Sequence, residues 1–209
     1  MMPKQPLKLL VFILIAAFYA SMLASRIELP HGNDIARHLK NGELILQGHF
    51  EVLYQNTYSY TMPQQSFINH HWLSGVLFYL AKAIGGWEGL VVFKILILLS
   101  AFILVFLLAS GKSDFWFAAV FSLPAIFLLS ERTQVRPEIF SILFLALFLY
   151  LLPGFEKRGD RKKIFLFAFL QVLWVNTHIF FILGPAVLFV LLLEKIIRQF
   201  INGKTADSA

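Results

Sequence analysis

The chain has no cysteine, and only 14% of its residues are charged. The absence of cysteine excludes a disulfide framework and thiolate metal sites. The low charged fraction, combined with 58% apolar residues and 23 Phe, excludes a small soluble globule. Internal repeats, heptad arrays and low-complexity tracts are also lacking. This composition predicts a polytopic membrane protein built from helices.

The net charge of +6 does not indicate a nucleic-acid partner. Lysine and arginine fall largely in short connections between apolar runs, where the positive-inside rule accounts for them. The basic groups expected on the cytoplasmic side are Lys4 and Lys8, Lys112, the cluster Lys157, Arg158, Arg161, Lys162 and Lys163, and the tail residues Lys195, Arg198 and Lys204. We therefore expect membrane lipids around the chain and no nucleic acid.

These cationic connections also decide which apolar runs cross the membrane, since a crossing helix needs about 20 residues. An even number of crossings between basic clusters requires the run 72–84 to lie along the outer interface. We predict an all-α protein with about six transmembrane helices and both termini in the cytoplasm. The apolar runs are 9–25, 72–84, 88–109, 115–130, 138–152, 164–175 and 179–193.

The predicted organisation is one transmembrane module over residues 1–195 followed by a cytoplasmic tail, 196–209. Within the module, 9–25 is the first transmembrane helix, 26–87 is a large extracytoplasmic loop with interfacial helices, and 88–193 holds the other five membrane helices. The first run also fits a signal peptide, but we expect an uncleaved anchor because the rest of the chain is itself membrane-embedded.

In the outer loop, the apolar spacing of Ile35, Leu39, Gly42 and Leu46 predicts a helix that begins near Asp34 and ends near Gly48. Asp34, Arg37, His38 and Asn41 are then expected on the opposite face. Asp34 is either an N-cap or a functional carboxylate that serves as general base or helps to hold a divalent cation. His38 either assists it or is structural.

A second polar group, Asn69-His70-His71-Trp72, precedes the short run 72–84. The two histidines form a weak metal motif, because no further ligands follow at a recognised spacing. We therefore assign no metal site. Trp72 is either an interfacial anchor or a ring that packs on a sugar face.

Two predicted hairpin tips carry polar residues between apolar arms. In the first, Arg132 and Arg136 lie on the outer side against the topogenic bias, so they need anions: either Glu131 and Glu138, or a phosphate held by the guanidinium fork.

The second tip carries Asn176 and His178 on arms too short to span the hydrocarbon fully, so it is expected below the outer headgroups. The two residues either form helix–helix hydrogen bonds or line a membrane-level cavity for a lipid phosphate.

The order of these motifs resembles bacterial GT-C-type membrane glycosyltransferases, closest to the branch of protein O-mannosyltransferases and lipid A aminoarabinose transferases. The likeness covers about residues 5–195. It rests on Asp34-x-x-x-His38-x-x-x-Gly42, Gly48, Tyr58-Ser59-Tyr60-Thr61, His70-x-Trp72-Leu73, Gly85-Gly86-Trp87-Glu88-Gly89-Leu90, Arg136-Pro137 and Trp174-Val-Asn176-x-His178.

The resemblance implies inverting transfer of a sugar from a polyprenyl-phosphate donor to a hydroxyl on a lipid, glycan or protein acceptor. It places the chain in the bacterial inner membrane with its active face extracytoplasmic, and it implies that Asp34 is the catalytic carboxylate. From charge and depth we assign the donor phosphate to Arg136, assisted by Arg132 and His178. His38, His70, His71, Trp72 and Asn176 complete the expected substrate-binding set.

The chain differs from that family pattern in two ways. Asn56 and His71 stand where relatives often carry acidic residues, and such enzymes usually continue through further membrane helices. The alternative hypothesis is a short or truncated, non-catalytic membrane subunit that binds the lipid-linked sugar or a partner protein. A transporter is disfavoured, because the polar groups cluster on one side and no repeat is visible.

Overall fold

The computed structural model describes residues 4–26, 33–62, 65–158 and 162–206. Within these ranges the chain is helical and forms no strand, apart from an isolated antiparallel bridge between Gln55 and Ser66. The all-α prediction is confirmed. The helices are α1 (Lys4–Arg26), α2 (Asn33–Leu46), α3 (Trp72–Lys112), α4 (Phe115–Ser130), α5 (Glu138–Arg158), α6 (Lys162–Thr177) and α7 (Leu183–Ala206), with 3-10 turns at Phe50–Leu53 and Ile179–Ile182.

Some predicted features lie outside the described residues. These are positions 27–32 at the start of the predicted outer loop, Arg161 of the basic cluster, and residues 207–209 at the end of the tail.

Three of the helical segments are long and apolar enough to cross a membrane: Gln5–Arg26, Trp72–Lys112 and Ile179–Ile201. Shorter apolar helices cover Phe115–Ser130, Glu138–Gly154 and Ile164–Thr177. Many large apolar side chains on these helices are exposed, as expected where hydrocarbon and not water is the solvent. The chain is therefore a membrane-associated helical protein.

A break within α3 divides its two apolar runs. Gly85 and Gly86 leave the helical region, at φ −128°, ψ 17° and φ +65°, ψ −152° respectively. Residues with a side chain rarely adopt the second conformation, whereas glycine does so without strain. The break falls between the runs 72–84 and 88–109, so the first part of α3 is free to take a direction different from that of the second.

The interior of the bundle is built from aromatic side chains. Trp174 of α6 is fully buried and lies against Phe144 and Phe148 of α5, with ring centroids 5.7 Å apart in both pairs. Tyr19 of α1 packs on Phe102 of α3 at 5.2 Å. Phe78 of α3 and Phe140 of α5, 5.5 Å apart, link the two pairs, so that α1, α3, α5 and α6 share one core.

A cavity of about 350 Å³ opens between the second part of α3, α4 and α5. Its lining is apolar except for Ser122, whose hydroxyl donates to the carbonyl of Ala119 at 2.7 Å. It extends from Ala109 and Ala118 at one end of α3 and α4 to Leu129, which lies one residue before the end of α4.

Helix α2 lies against the first part of α3 at very close range. A Cβ atom on Gly42 would overlap the carbonyl oxygen of Gly75, and one on Gly75 would lie 2.7 Å from the carbonyl oxygen of His38. Only glycine at both positions lets the two backbones approach this closely. The α2–α3 contact therefore depends on this glycine pair.

The close contact corrects one expectation for α2. Ile35 and Leu39 are buried as predicted, and α2 ends before Gly48, which has φ +88°. His38 and Asn41, predicted on the opposite, polar face, are also buried. The backbone carbonyl of His38 lies at the glycine contact with α3, whereas Asn41 accepts a hydrogen bond from Tyr58 in the segment after the Phe50–Leu53 turn. Leu46, predicted on the apolar face, is exposed at the end of the helix.

Candidate functional site

Asp34 and Arg136 meet although they are far apart in the chain. Asp34 lies in the first turn of α2, and Arg136 lies in the connection between α4 and α5. A guanidinium nitrogen of Arg136 is 3.7 Å from Oδ2 of Asp34, and both side chains are about half exposed. Tight charge-assisted hydrogen bonds measure about 2.7–2.9 Å, so this ion pair is loose and leaves donors and acceptors open to a ligand.

The other charges of the α4–α5 connection have different partners. Arg132 pairs with Glu138 at 3.4 Å, and Glu131 pairs with Arg26 at the end of α1. Of the two glutamates expected as partners, Glu138 pairs with Arg132, and neither pairs with Arg136. Exposed pairs of this kind contribute about 0–1 kcal/mol, so they orient the connection more than they stabilise it.

Lys94 anchors the backbone of the same connection to α3. It is fully buried in α3, and its ammonium group donates to the carbonyl oxygens of Arg132, Thr133 at 2.9 Å and Gln134 at 2.8 Å. Three carbonyls satisfied by one cation fix the backbone that presents Arg136. Our sequence analysis did not identify Lys94 as a site residue. The available signal was a lysine in the middle of the apolar run 88–109.

Four histidines lie close together beside the ion pair. The ring centroid of His71, the residue before α3, is 5.7 Å from that of His38, 4.0 Å from that of His70 and 5.6 Å from that of His178. His38 follows Asp34 by one turn of α2, and His178 follows the end of α6. Two of the predicted motifs and the second hairpin tip therefore meet at one place.

Burial lowers the pKa of three of these histidines, which favours their neutral form near pH 7. Desolvation, followed by the charge of Arg37, lowers the pKa of His38 to about 4. Desolvation and the neighbouring His70 lower the pKa of His71 to about 3. Desolvation also lowers the pKa of His178, against the opposing effect of Glu138. Neutral imidazoles can each donate and accept a hydrogen bond, which suits the recognition of hydroxyl groups.

His178 has a defined partner in α5. The indole nitrogen of Trp174 donates to the hydroxyl oxygen of Ser141 at 2.7 Å, and that oxygen is 2.8 Å from Nδ1 of His178. Because Trp174 can only donate, Ser141 accepts from it and has its own proton available for Nδ1. This arrangement favours the tautomer of neutral His178 that carries the ring proton on Nε2, because the buried Ser141 hydroxyl then has an acceptor for its own proton.

Trp72 and Asn176 are joined directly. The indole nitrogen of Trp72 donates to Oδ1 of Asn176 at 2.7 Å, and Nδ2 of Asn176 donates to the carbonyl of Val172 at 2.7 Å. This bond supports the helix–helix interpretation of Asn176. It also connects the start of α3 to the end of α6. The polar group that precedes α3 and the second hairpin tip therefore lie together, at the end of the bundle where α2 packs.

Among the residues that the structure describes, no group of three or more His, Cys, Asp or Glu side chains has an arrangement that could hold a metal ion. The histidine cluster is better suited to hydrogen bonding. The arrangement as a whole combines a loosely paired carboxylate, a guanidinium and neutral imidazoles beside an apolar bundle. Such a set can remove a proton from a hydroxyl and hold an anionic leaving group.

No family model, curated protein or solved structure matches this chain. The likeness to GT-C-type glycosyltransferases therefore stays a prediction from the sequence, and functional interpretation rests on the geometry of the site.

Proposed function

We propose that the chain is a membrane glycosyltransferase-like protein that moves a sugar from a polyprenyl-phosphate donor to a hydroxyl acceptor. The observation that carries the proposal is the meeting of Asp34 and Arg136 beside the histidine cluster at one end of an apolar bundle. The acceptor is a lipid, glycan or protein hydroxyl. The transfer needs one carboxylate and one phosphate ligand within reach of each other, and the loose ion pair supplies both.

In the proposed reaction, Asp34 takes the proton from the acceptor hydroxyl as its oxygen attacks the anomeric carbon of the sugar. The bond between that carbon and the phosphate oxygen breaks, and the electron pair leaves with the polyprenyl phosphate. Arg136 holds the charge on the leaving phosphate. A single displacement inverts the anomeric configuration. Donor binding replaces the Asp34 contact of Arg136 by a phosphate contact, which frees the carboxylate to act as a base.

The remaining site residues bind substrate in this proposal. His38, His71 and His178 offer neutral donors and acceptors to sugar hydroxyls, with His70 at their edge. Arg132 assists with the phosphate. Trp72 and Asn176 form the wall between α3 and α6.

The apolar cavity between α3, α4 and α5 supports a lipid donor. Its lining of alanine, leucine and phenylalanine suits an isoprenoid chain, and Leu129 at one end lies close to the connection that carries Arg136. We place the chain in the bacterial inner membrane with six crossings, both termini cytoplasmic, and the site on the extracytoplasmic face.

The first test is native mass spectrometry of the gently delipidated protein titrated with polyprenyl phosphate. We expect binding by the unmodified chain, binding reduced at least tenfold in Arg136→Ala, and unchanged binding in the control Arg198→Ala. Arg198 lies in α7 and pairs with Glu194, away from the site. Absence of binding by all three proteins would refute the donor site.

The second test separates catalysis from binding. Asp34→Asn is expected to bind polyprenyl phosphate as the unmodified chain does and to lose sugar transfer, because an amide cannot take the proton. Sugar transfer that survives in Asp34→Asn would remove Asp34 as the base.

A further inference from the structure

A polar pocket lies on α2 next to the histidine cluster. It has a volume of about 80 Å³ and is formed by α2 and the segment that follows the Phe50–Leu53 turn. Its polar lining residues are Arg37, Asn41, Gln55, Asn56, Thr57 and Tyr58. The proposed transfer uses none of these side chains.

Arg37 brings a positive charge to this pocket without a counter-charge. Among the described residues, no carboxylate lies within ion-pair distance of its guanidinium. Asp34, one turn earlier on α2, is engaged by Arg136. Arg37 is also partly buried, where an unpaired charge is costlier than on an open surface. A guanidinium held in this way is suited to binding an anion.

Asn41 adds a second donor in a fixed orientation. Its side chain is only 3% exposed, and its Oδ1 accepts a hydrogen bond from the hydroxyl of Tyr58 at 2.6 Å. With Oδ1 occupied, the Nδ2 group is oriented by the same contact, and in the described part of the chain no acceptor bonds to it. Arg37 and Asn41 stand four residues apart on α2, so both donor groups lie on one helix face.

The opposite wall of the pocket is held in place by backbone hydrogen bonds. The amide nitrogen of Asn56 donates to the carbonyl of Gln65 at 3.2 Å, and that of Phe67 donates to the carbonyl of Tyr54 at 2.9 Å. This pairing supports the segment that carries Gln55 and Thr57, whose side chains add an amide and a hydroxyl. The wall is therefore a formed surface and not only the edge of a connection.

We propose that this pocket, which we call the Arg37 pocket, binds a single oxyanionic group, a carboxylate or a phosphate. One guanidinium surrounded by neutral donors matches the charge and the lone pairs of such a group. The volume holds a few water molecules and so one group of this size, but not a sugar ring. The site shares no side chain with the proposed transfer, although the charge of Arg37 acts on His38. The oxyanion is either free in solution or part of an anionic lipid headgroup.

The test follows the side-chain Nε–H resonance of Arg37 in the full, ¹⁵N-arginine-labelled chain, assigned by its loss in Arg37→Gln. One arm titrates inorganic phosphate into the protein in zwitterionic micelles. The other arm compares nanodiscs of phosphatidylcholine with nanodiscs that also contain phosphatidylglycerol. We expect a saturable shift of the Arg37 resonance in at least one arm. A shift with phosphate identifies a soluble oxyanion, and a shift only with phosphatidylglycerol identifies a headgroup.

Two variants control the result. The double variant Asp34→Asn/Arg136→Gln removes the donor-site arginine without freeing a carboxylate beside Arg37. It should leave the Arg37 shift unchanged, which separates this site from the proposed donor site. Asn41→Ala should weaken the apparent affinity about threefold to tenfold while the Arg37 resonance remains visible, whatever its effect on stability. An Arg37 resonance that does not move in either arm, or a shift abolished by Asp34→Asn/Arg136→Gln, would overturn the proposal.

Discussion

Replacing Gly42 by alanine should separate α2 from α3 and disrupt the histidine cluster. The new methyl group would overlap the carbonyl oxygen of Gly75 and lie 2.9 Å from Cβ of Tyr79. Because nonbonded carbon atoms are best separated by about 3.5–4.0 Å, α2 must retreat by about 1 Å. His38 lies one turn before Gly42, so its ring would move away from the ring of His71.

The magnitude is a balance of two effects. Overpacking costs about 1–3 kcal/mol, and backbone atoms that cannot rotate away place this site at the upper end. Alanine regains about 1 kcal/mol of helix propensity over glycine. We therefore expect a net loss of about 2 kcal/mol in the free energy of unfolding.

The assay is unfolding by sodium dodecyl sulfate in mixed micelles, followed by tryptophan fluorescence. Gly111→Ala is the matched control, because it also lies in a helix and its added Cβ would meet no atom within 4 Å. The control should be as stable as the unmodified chain or up to about 1 kcal/mol more stable. Equal stability of the two variants would refute the close α2–α3 contact.

Three further outcomes are expected. Lys94→Met should lower the free energy of unfolding by at least about 2 kcal/mol, because it leaves three carbonyl groups without their donor, each worth about 1–3 kcal/mol; a neutral result in the same unfolding assay would contradict the role of Lys94. Burial lowers the pKa of His38 from 6.5 to about 4, so between these values the unfolded chain binds more protons than the folded chain. The free energy of unfolding should therefore be highest above about pH 6.5 and fall by up to about 3 kcal/mol on acidification through this range. His38→Gln should flatten this pH dependence, and an unchanged slope would exclude His38 as its source. Ser141→Ala should shift the ¹⁵N signals of His178 away from the Nε2–H tautomer, whereas Ser141→Thr should preserve it; identical spectra for both variants would disprove the hydrogen bond to Nδ1.

Hydropathy was sufficient to predict the helical class and the positions of most helices. Apolar runs must form helices in a membrane, since each backbone polar group needs a partner within the segment. The break at Gly85 and Gly86 was visible as an interruption between two apolar runs. The polar interruptions also pointed to Asp34, Arg136 and His178, because polar residues among apolar ones are costly unless they have a partner or a function.

Partners across the bundle could not be read in the same way. Glu131 and Glu138, which are close to Arg136 in the chain, were the expected partners of Arg136. In the fold, α2 lies next to the α4–α5 connection, and Arg136 pairs with Asp34 instead. Lys94 stands alone among apolar residues in the sequence, because its partners, the carbonyl groups of the α4–α5 connection, are about 40 residues further along the chain.

The sequence by itself determined a membrane-associated helical chain and the places where its apolar runs are interrupted. Tertiary structure alone decided that His38 and Asn41 are buried, because the burial of a helix face depends on which segments approach it. The segment that carries Tyr58 approaches Asn41, and α3 approaches His38. Here Gly42 and Gly75 allow α3 to approach closely, and periodicity within α2 contains no information about that contact. Distances between side chains of different helices follow from such packing and not from local spacing.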